Sequence, residues 1–139
     1  ILASPTGAMA TTLVTVRYPL TADSHRTIER GLDAHDDGGS LIVLHVSLLQ
    51  NGDRISRDDL QRAVEAEFGE IPAHYVVRRG YVLEEAIVDE AARQNADHVF
   101  VGKSKRGRLR RWVGRLLGLY PDIEAELAKN LNANLEIVS

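Results

Sequence analysis

The strongest chemical signal in the sequence is a cluster of cationic side chains in its last third. Residues 103–115 contain seven of the 17 basic residues and no acid, which leaves ten basic residues against 20 acidic ones elsewhere. A positive segment on a negative body is typical of a site for phosphate, nucleic acid or acidic lipid. A solvated helix face gives the same pattern, so charge alone indicates an anionic partner without choosing one.

A second chemical candidate is an arginine at the end of the first predicted strand. Arg17 closes a short run rich in β-branched residues, and the Tyr18-Pro19 step after it disfavours an immediate helix. A guanidinium carries five donors and no acceptor, so it suits a phosphate or a carboxylate. A structural ion pair with an acid near the strand ends, such as Asp97, is an equally open interpretation.

Other catalytic and metal-binding patterns are missing from the sequence. It has five histidines without metal-ligand spacing, no cysteine, and no nucleophile elbow, paired zinc-binding histidines or phosphate-binding loop of the Walker type. We therefore predict no catalytic residue and no metal site. Slow ATP hydrolysis remains a weaker alternative.

Strands and helices alternate along the chain. Apolar runs and turn signals predict strands over residues 11–17, 41–49, 74–79, 98–102 and 135–138, and helices over residues 21–34, 56–68, 82–94 and 122–131. Strands joined through helices must be parallel, with right-handed crossovers. The predicted fold class is therefore α/β, a three-layer sandwich around an open parallel sheet.

Cap residues mark where two of these helices begin. Thr21 or Asp23 can cap the first helix, and Ser56 with Asp59 has the spacing of a capping box for the second. Gly69 is expected to end the second helix.

The basic segment overlaps a predicted amphipathic helix. Apolar residues recur at helical spacing from Leu109 to Tyr120, with arginines on another face. A helix that covers the sheet is the simpler interpretation. The alternative is an interaction protein that uses residues 103–115 to bind nucleic acid, an acidic membrane or a partner protein.

The length of 139 residues fits one domain. Met9 is the only methionine, and residues 1–8 show no periodicity, so we interpret them as left over from cloning and place the domain at residues 9–139. No apolar run reaches the roughly 20 residues of a membrane span, so we expect the protein to be soluble. The absence of cysteine from the sequence is compatible with a cytoplasmic location.

The arrangement resembles that of the universal stress protein family. Three segments carry the resemblance by their order and spacing: residues 43–46 in the second strand, 77–80 with 84–87 before and in the third helix, and 96–102 into the fourth strand. The resemblance implies a Rossmann-like, open five-stranded parallel sheet of order 3-2-1-4-5 and a homodimer through the C-terminal strand. In such sheets the ligand lies at the switch point, here between the first and fourth strands.

The same resemblance implies a site for ATP, with departures. Family members read adenine with an aspartate where this chain has Arg17, and their second loop glycine falls on Lys105. An arginine cannot accept the hydrogen bonds that an aspartate accepts, and a Cβ at Lys105 weakens a phosphate cradle made of backbone amides. Cationic side chains can partly compensate as phosphate ligands.

The sequence therefore predicts a stress-protein-like regulatory module with a modified cleft for an adenine nucleotide, such as ATP, or another small anion. The predicted site residues are Arg17, Val46, Gly102, Lys103, Ser104, Lys105, Arg106 and Gly107.

Overall fold

The computed structural model describes residues 10–35, 38–52 and 54–102, together with the backbone of residues 135–138. Along the chain the elements are β1 (Thr11–Val16), α1 (Ala22–Ala34), β2 (Ser40–Leu48), a 3-10 turn (Leu49–Asn51), α2 (Arg57–Phe68), β3 (Ala73–Gly80), α3 (Leu83–Arg93), β4 (His98–Gly102) and β5 (Leu135–Val138).

All described strand pairs are parallel. β1 lies in the centre and pairs with β2 on one side and β4 on the other, while β2 also pairs with β3. β5 pairs with β4. The predicted α/β class with a parallel sheet is confirmed. The carboxyl ends of the strands consequently share one edge of the sheet, where Arg17 follows β1 and Gly102 ends β4.

The sheet is buried on both faces, which explains its continuous apolar runs. Alternate residues of each strand enter two separate cores, because successive side chains of a strand point to opposite faces. Leu13, Ile42 and Val99 pack with Ile87 of α3 on one face. The core on the other face, with α1 and α2, includes Val14, Ile28, Val43, Leu60 and Phe100.

The helix caps follow the sequence signals. Thr21 caps α1, and its hydroxyl accepts a hydrogen bond from the Ser24 N–H at 3.1 Å. Ser56 and Asp59 form the predicted capping box of α2, and the hydrogen bonds from Ser56 lower the pKa of the Asp59 carboxyl. Gly69 ends α2 with a positive φ of 73°, a conformation that glycine adopts without steric cost.

One glycine lets α1 lie close to the sheet. A Cβ added at Gly31 would collide with Cγ1 of the fully buried Val14 and come within 3.3 Å of Cδ1 of Leu41. The close approach holds the C-terminal part of α1 against β1 and β2.

Two predicted helices fall outside the described residues: the amphipathic helix from Leu109 to Tyr120 and the helix over residues 122–131.

Among the residues that are described, none of the helices combines the length and apolar character that a bilayer crossing requires. The same ranges contain no group of three or more His, Asp or Glu side chains that could hold a metal ion.

Candidate functional site

Two neighbouring cavities open at the carboxyl edge of the sheet. The first, which we call the α1-side cavity, has a volume of about 230 Å³. The second, the α3-side cavity, has a volume of about 310 Å³. Thr15 and Arg17 line both. Together the two volumes reach the range of roughly 300–1,000 Å³ that is usual for small-molecule sites.

Hydroxyl groups dominate the α1-side cavity. Its lining consists of Thr15, Arg17, Thr21, Asp23, Ser24, Thr27 and Gly102. Ser24 Oγ accepts hydrogen bonds from the Arg17 N–H at 2.8 Å and from the Thr21 hydroxyl at 3.1 Å. These bonds tie the end of β1 to the first turn of α1, and so fix the wall of the cavity.

Two further hydroxyls of this cavity act as donors to backbone carbonyls. Thr27 donates to the Asp23 carbonyl at 2.7 Å, and Thr15 donates to the Phe100 carbonyl at 3.3 Å. Both residues are buried. A hydroxyl that donates its proton retains acceptor lone pairs, so either could accept a hydrogen bond from a bound polar group.

The charges of the α1-side cavity leave one cation in excess. Asp23 forms an ion pair with Arg26 one turn along α1, and both side chains are about half exposed. Arg17 is exposed and forms no ion pair with any described residue. The guanidinium of Arg17 is therefore available to an anionic ligand.

The open alternative of a structural ion pair between Arg17 and Asp97 does not hold. Asp97 accepts a hydrogen bond from the Thr11 N–H at 2.8 Å, at the start of β1. Arg17 follows the other end of that strand, roughly 20 Å away at about 3.3 Å per residue. Parallel strands place the residue before β4 and the residue after β1 at opposite edges of the sheet.

Five of the ten residues that line the α3-side cavity are aliphatic: Val16, Val46, Leu48, Leu83 and Ile87. The other five are Thr15, Arg17, Tyr18, His45 and Asn51. Nδ1 of the buried His45 lies 3.1 Å from the Val16 carbonyl, and the His45 ring is tilted against that of Tyr18 at 6.2 Å. The cavity therefore combines an aliphatic surface with polar groups, as small-molecule sites commonly do.

A mostly buried ion pair holds α3 in place over this cavity. Arg78 on β3 contacts Glu90 Oε1 at 2.7 Å and Asp89 Oδ2 at 2.6 Å, and Gln94 donates to Glu90 Oε2 at 2.6 Å. Hydrogen bonds to Glu90 and then to Asp89 raise the pKa of Arg78 above its ordinary value. Glu90 is 2% exposed, and Arg78 is the cation that contacts it.

The structure brings three of the predicted site residues to one edge of the sheet. Arg17 lines both cavities, Val46 lines the α3-side cavity and Gly102 lines the α1-side cavity. The other five follow Gly102 directly in the chain and lie outside the described residues. These five are Lys103, Ser104, Lys105, Arg106 and Gly107.

Sequence reasoning missed several residues that line the cavities. Ser24, Thr27 and Thr15 form the hydroxyl wall, and Ile87 contributes to the apolar one. A signal existed for Ser24 and Thr27, because the residues that start the helix after β1 must lie beside the end of that strand. No comparable signal pointed to Ile87, which comes from a helix two strands later in the chain.

The chain is similar in fold to a solved universal stress protein. No protein-family model matches the sequence, and no curated protein matches it at a significant level. The similar structure is described as a crystal structure of universal stress protein in complex with cAMP. It is 24% identical in sequence, and the match covers 93% of this chain and 97% of that chain with a TM-score of 0.51. This likeness shows the fold, a Rossmann-like α/β architecture.

Proposed function

We propose that this chain is a universal stress protein-like regulatory module that binds an adenine nucleotide at the carboxyl edge of its sheet. One observation carries the proposal: two cavities, one lined by four hydroxyl side chains and the other by five aliphatic ones, meet at Thr15 and Arg17. A nucleotide has the same division, with an apolar base at one end and a charged phosphate at the other. The solved structure with a similar fold contains cAMP, which is a ligand of this class.

In this proposal the base occupies the α3-side cavity. Val46 and Ile87 line this cavity, and their aliphatic side chains can pack against a planar ring. Arg17 and the α1-side cavity then take the phosphate, since Arg17 is the cation without a partner among the described residues there. Gly102, Lys103, Ser104, Lys105, Arg106 and Gly107 are proposed to complete the phosphate site.

The proposal also covers the assembly of the sheet. Pairing of β5 with β4 supports a five-stranded sheet of order 3-2-1-4-5. The family resemblance adds a homodimer through the C-terminal strand. The hypothesis that residues 103–115 bind nucleic acid or an acidic membrane stays a prediction, because this segment lies outside the described residues.

The arginine at the end of β1 shapes the expected selectivity. It cannot accept a hydrogen bond from the exocyclic amine of adenine, whereas it binds phosphate oxygens in a bidentate geometry. We therefore expect the phosphate to dominate the affinity, and ATP and cAMP to bind more tightly than adenosine.

Isothermal titration calorimetry with ATP, cAMP and adenosine tests this function. Arg17→Gln removes the charge with little change in size, and should weaken ATP binding by about tenfold while leaving adenosine unchanged, as expected for a lost charge-assisted hydrogen bond. Arg93→Gln is the matched control, because Arg93 is an exposed arginine outside both cavities. Failure of both nucleotides to bind the unmodified protein at millimolar concentration would refute the proposal.

A further inference from the structure

The outer edge of β3 is a second feature of the described structure that looks built for binding. β3 pairs with β2 along all eight of its residues, and no described strand pairs with its other side. In a parallel pair, every second residue of an edge strand directs its N–H and C=O away from the neighbouring strand. Such groups form a ready template for one more strand.

A groove runs along this edge. It has a volume of about 550 Å³ and is lined by Ile55, Ser56, Arg57, Tyr75, Val76, Val77, Arg78 and Arg79. Successive side chains of a strand point to opposite faces, so five consecutive residues of β3 can line one groove only along the edge of the strand. The segment before α2, with the first residue of that helix, forms the opposite wall.

The charge of the groove is positive. No acidic residue lines it, and Arg57 and Arg79 are both exposed without an ion pair to any described residue. Arg78 differs, because Asp89 and Glu90 already bind it on the α3 face. Tyr75 and Val77 pack into the core on the α2 side, so strand alternation places Arg79 on that same face, where Arg57 also lies.

From this geometry we infer that the β3 edge binds an acidic, extended peptide segment of a partner protein by strand addition. The backbone of the segment pairs with β3. Its carboxylate side chains reach Arg57 and Arg79, and a residue two positions away along the segment lies over Val77, which suits an apolar side chain. The surface is separate from the nucleotide cleft, because the groove shares no lining residue with either cavity.

A second copy of this chain fits the edge less well. Two β3 edges that meet across a two-fold axis run antiparallel, so over the full strand each Arg79 would lie opposite residue 74 of the other copy. Since no acidic residue lines the groove, a second copy offers no carboxylate to Arg57 or Arg79. An acidic partner supplies the missing opposite charge.

A capped, fluorescent peptide of alternating valine and glutamate, eight residues long to match β3, is the probe. It should bind the full chain in a fluorescence anisotropy titration, whereas a valine and lysine peptide should not. Arg79→Glu and Arg57→Glu should each weaken binding by about tenfold or more. Arg93→Glu, the control for total charge, should leave the affinity unchanged.

Two glutamate peptides, N-methylated at the odd or at the even positions, separate strand addition from simple charge attraction. One should lose binding and the other should retain it, because only alternate N–H groups of an added strand face β3. Equal binding of both N-methylated peptides, or no binding of the unmodified one, would overturn the inference. So would sedimentation showing a dimer that Arg79→Glu dissociates, since the occupant would then be a second copy.

Discussion

α1 and α3 both begin at the carboxyl edge of the sheet, on opposite faces, and their first turns supply different residues to the two cavities. The N-cap of α1 is Thr21, whose hydroxyl joins a network with Ser24 and the Arg17 backbone. α3 begins after Val82, without a side-chain cap, and contributes Leu83 and Ile87 to the α3-side cavity. The start of α1 therefore adds hydroxyl groups to the cleft, whereas the start of α3 adds aliphatic side chains.

The two helices are also held to the sheet by different interactions. Both helices pack apolar side chains on the sheet, Ile28 from α1 and Ile87 from α3. α1 adds hydroxyl hydrogen bonds and the close approach at Gly31, whereas α3 adds the Arg78–Glu90 pair. Hydrogen bonds between neutral groups contribute modestly each, while a buried charge that loses its partner is costly. The α3 face should therefore be the more sensitive to a single substitution.

The largest effect is expected at Arg78. Arg78→Ala leaves the buried Glu90 carboxylate without its cation, and we expect the free energy of unfolding to fall by about 3 kcal/mol in urea denaturation. Arg93→Ala, on the exposed end of α3, should change it by less than about 0.5 kcal/mol. A double variant with Arg78→Met and Glu90→Leu removes both charges, and it should recover most of the stability that Arg78→Ala loses. If the double variant is destabilised as much as Arg78→Ala, the buried-charge explanation is wrong.

A smaller effect is expected on the α1 face. Ser24→Ala removes the acceptor of the Arg17 N–H, and we expect a loss of about 1–2 kcal/mol in thermal or urea unfolding. The variant should also weaken nucleotide binding, since it releases the end of β1 beside the cleft. Ser40→Ala, an exposed serine at the start of β2, is the control. If Ser24→Ala lowers the free energy of unfolding as much as Arg78→Ala or more, the α3 face is not the more sensitive one.

The smallest effect at neutral pH is expected at Tyr75, on the face that α1 and α2 cover. The Tyr75 hydroxyl is buried and has no hydrogen-bond partner among the described residues, so Tyr75→Phe should cost little stability. Burial, and then the charge of Glu65, raise the pKa of Tyr75 to about 12 from its ordinary value of 10.0.

The sign of the pH effect follows from this shift. Between pH 10 and 12 the unfolded chain loses the Tyr75 proton while the folded chain keeps it, so stability is full below pH 10 and falls across that window. Tyr75→Phe should flatten this alkaline fall in urea midpoints. Tyr81→Phe should not, because Tyr81 is 70% exposed. If the urea midpoints of wild type and Tyr75→Phe fall equally between pH 10 and 12, the Tyr75 hydroxyl does not titrate as described.

The open alternative in which Arg17 pairs with Asp97 conflicts with a parallel sheet. Such a sheet puts the residue after β1 and the residue before β4 at opposite ends of neighbouring strands, so the parallel arrangement by itself separates the two side chains. The hydrogen bond from the Thr11 N–H to Asp97 agrees with this separation.

The amino-acid sequence by itself determined the order of the described strands and helices, the parallel α/β class and the capping box at Ser56, and it narrowed the cap of α1 to Thr21 or Asp23. These features depend on hydrophobic periodicity and on hydrogen bonds between residues a few positions apart. Only the tertiary structure decided that Ser24 and Thr27 line the same cavity as Gly102, or that Arg78 binds Glu90. Such contacts join segments distant in sequence, and their partners are set by how closely each helix packs on the sheet, which no local pattern encodes.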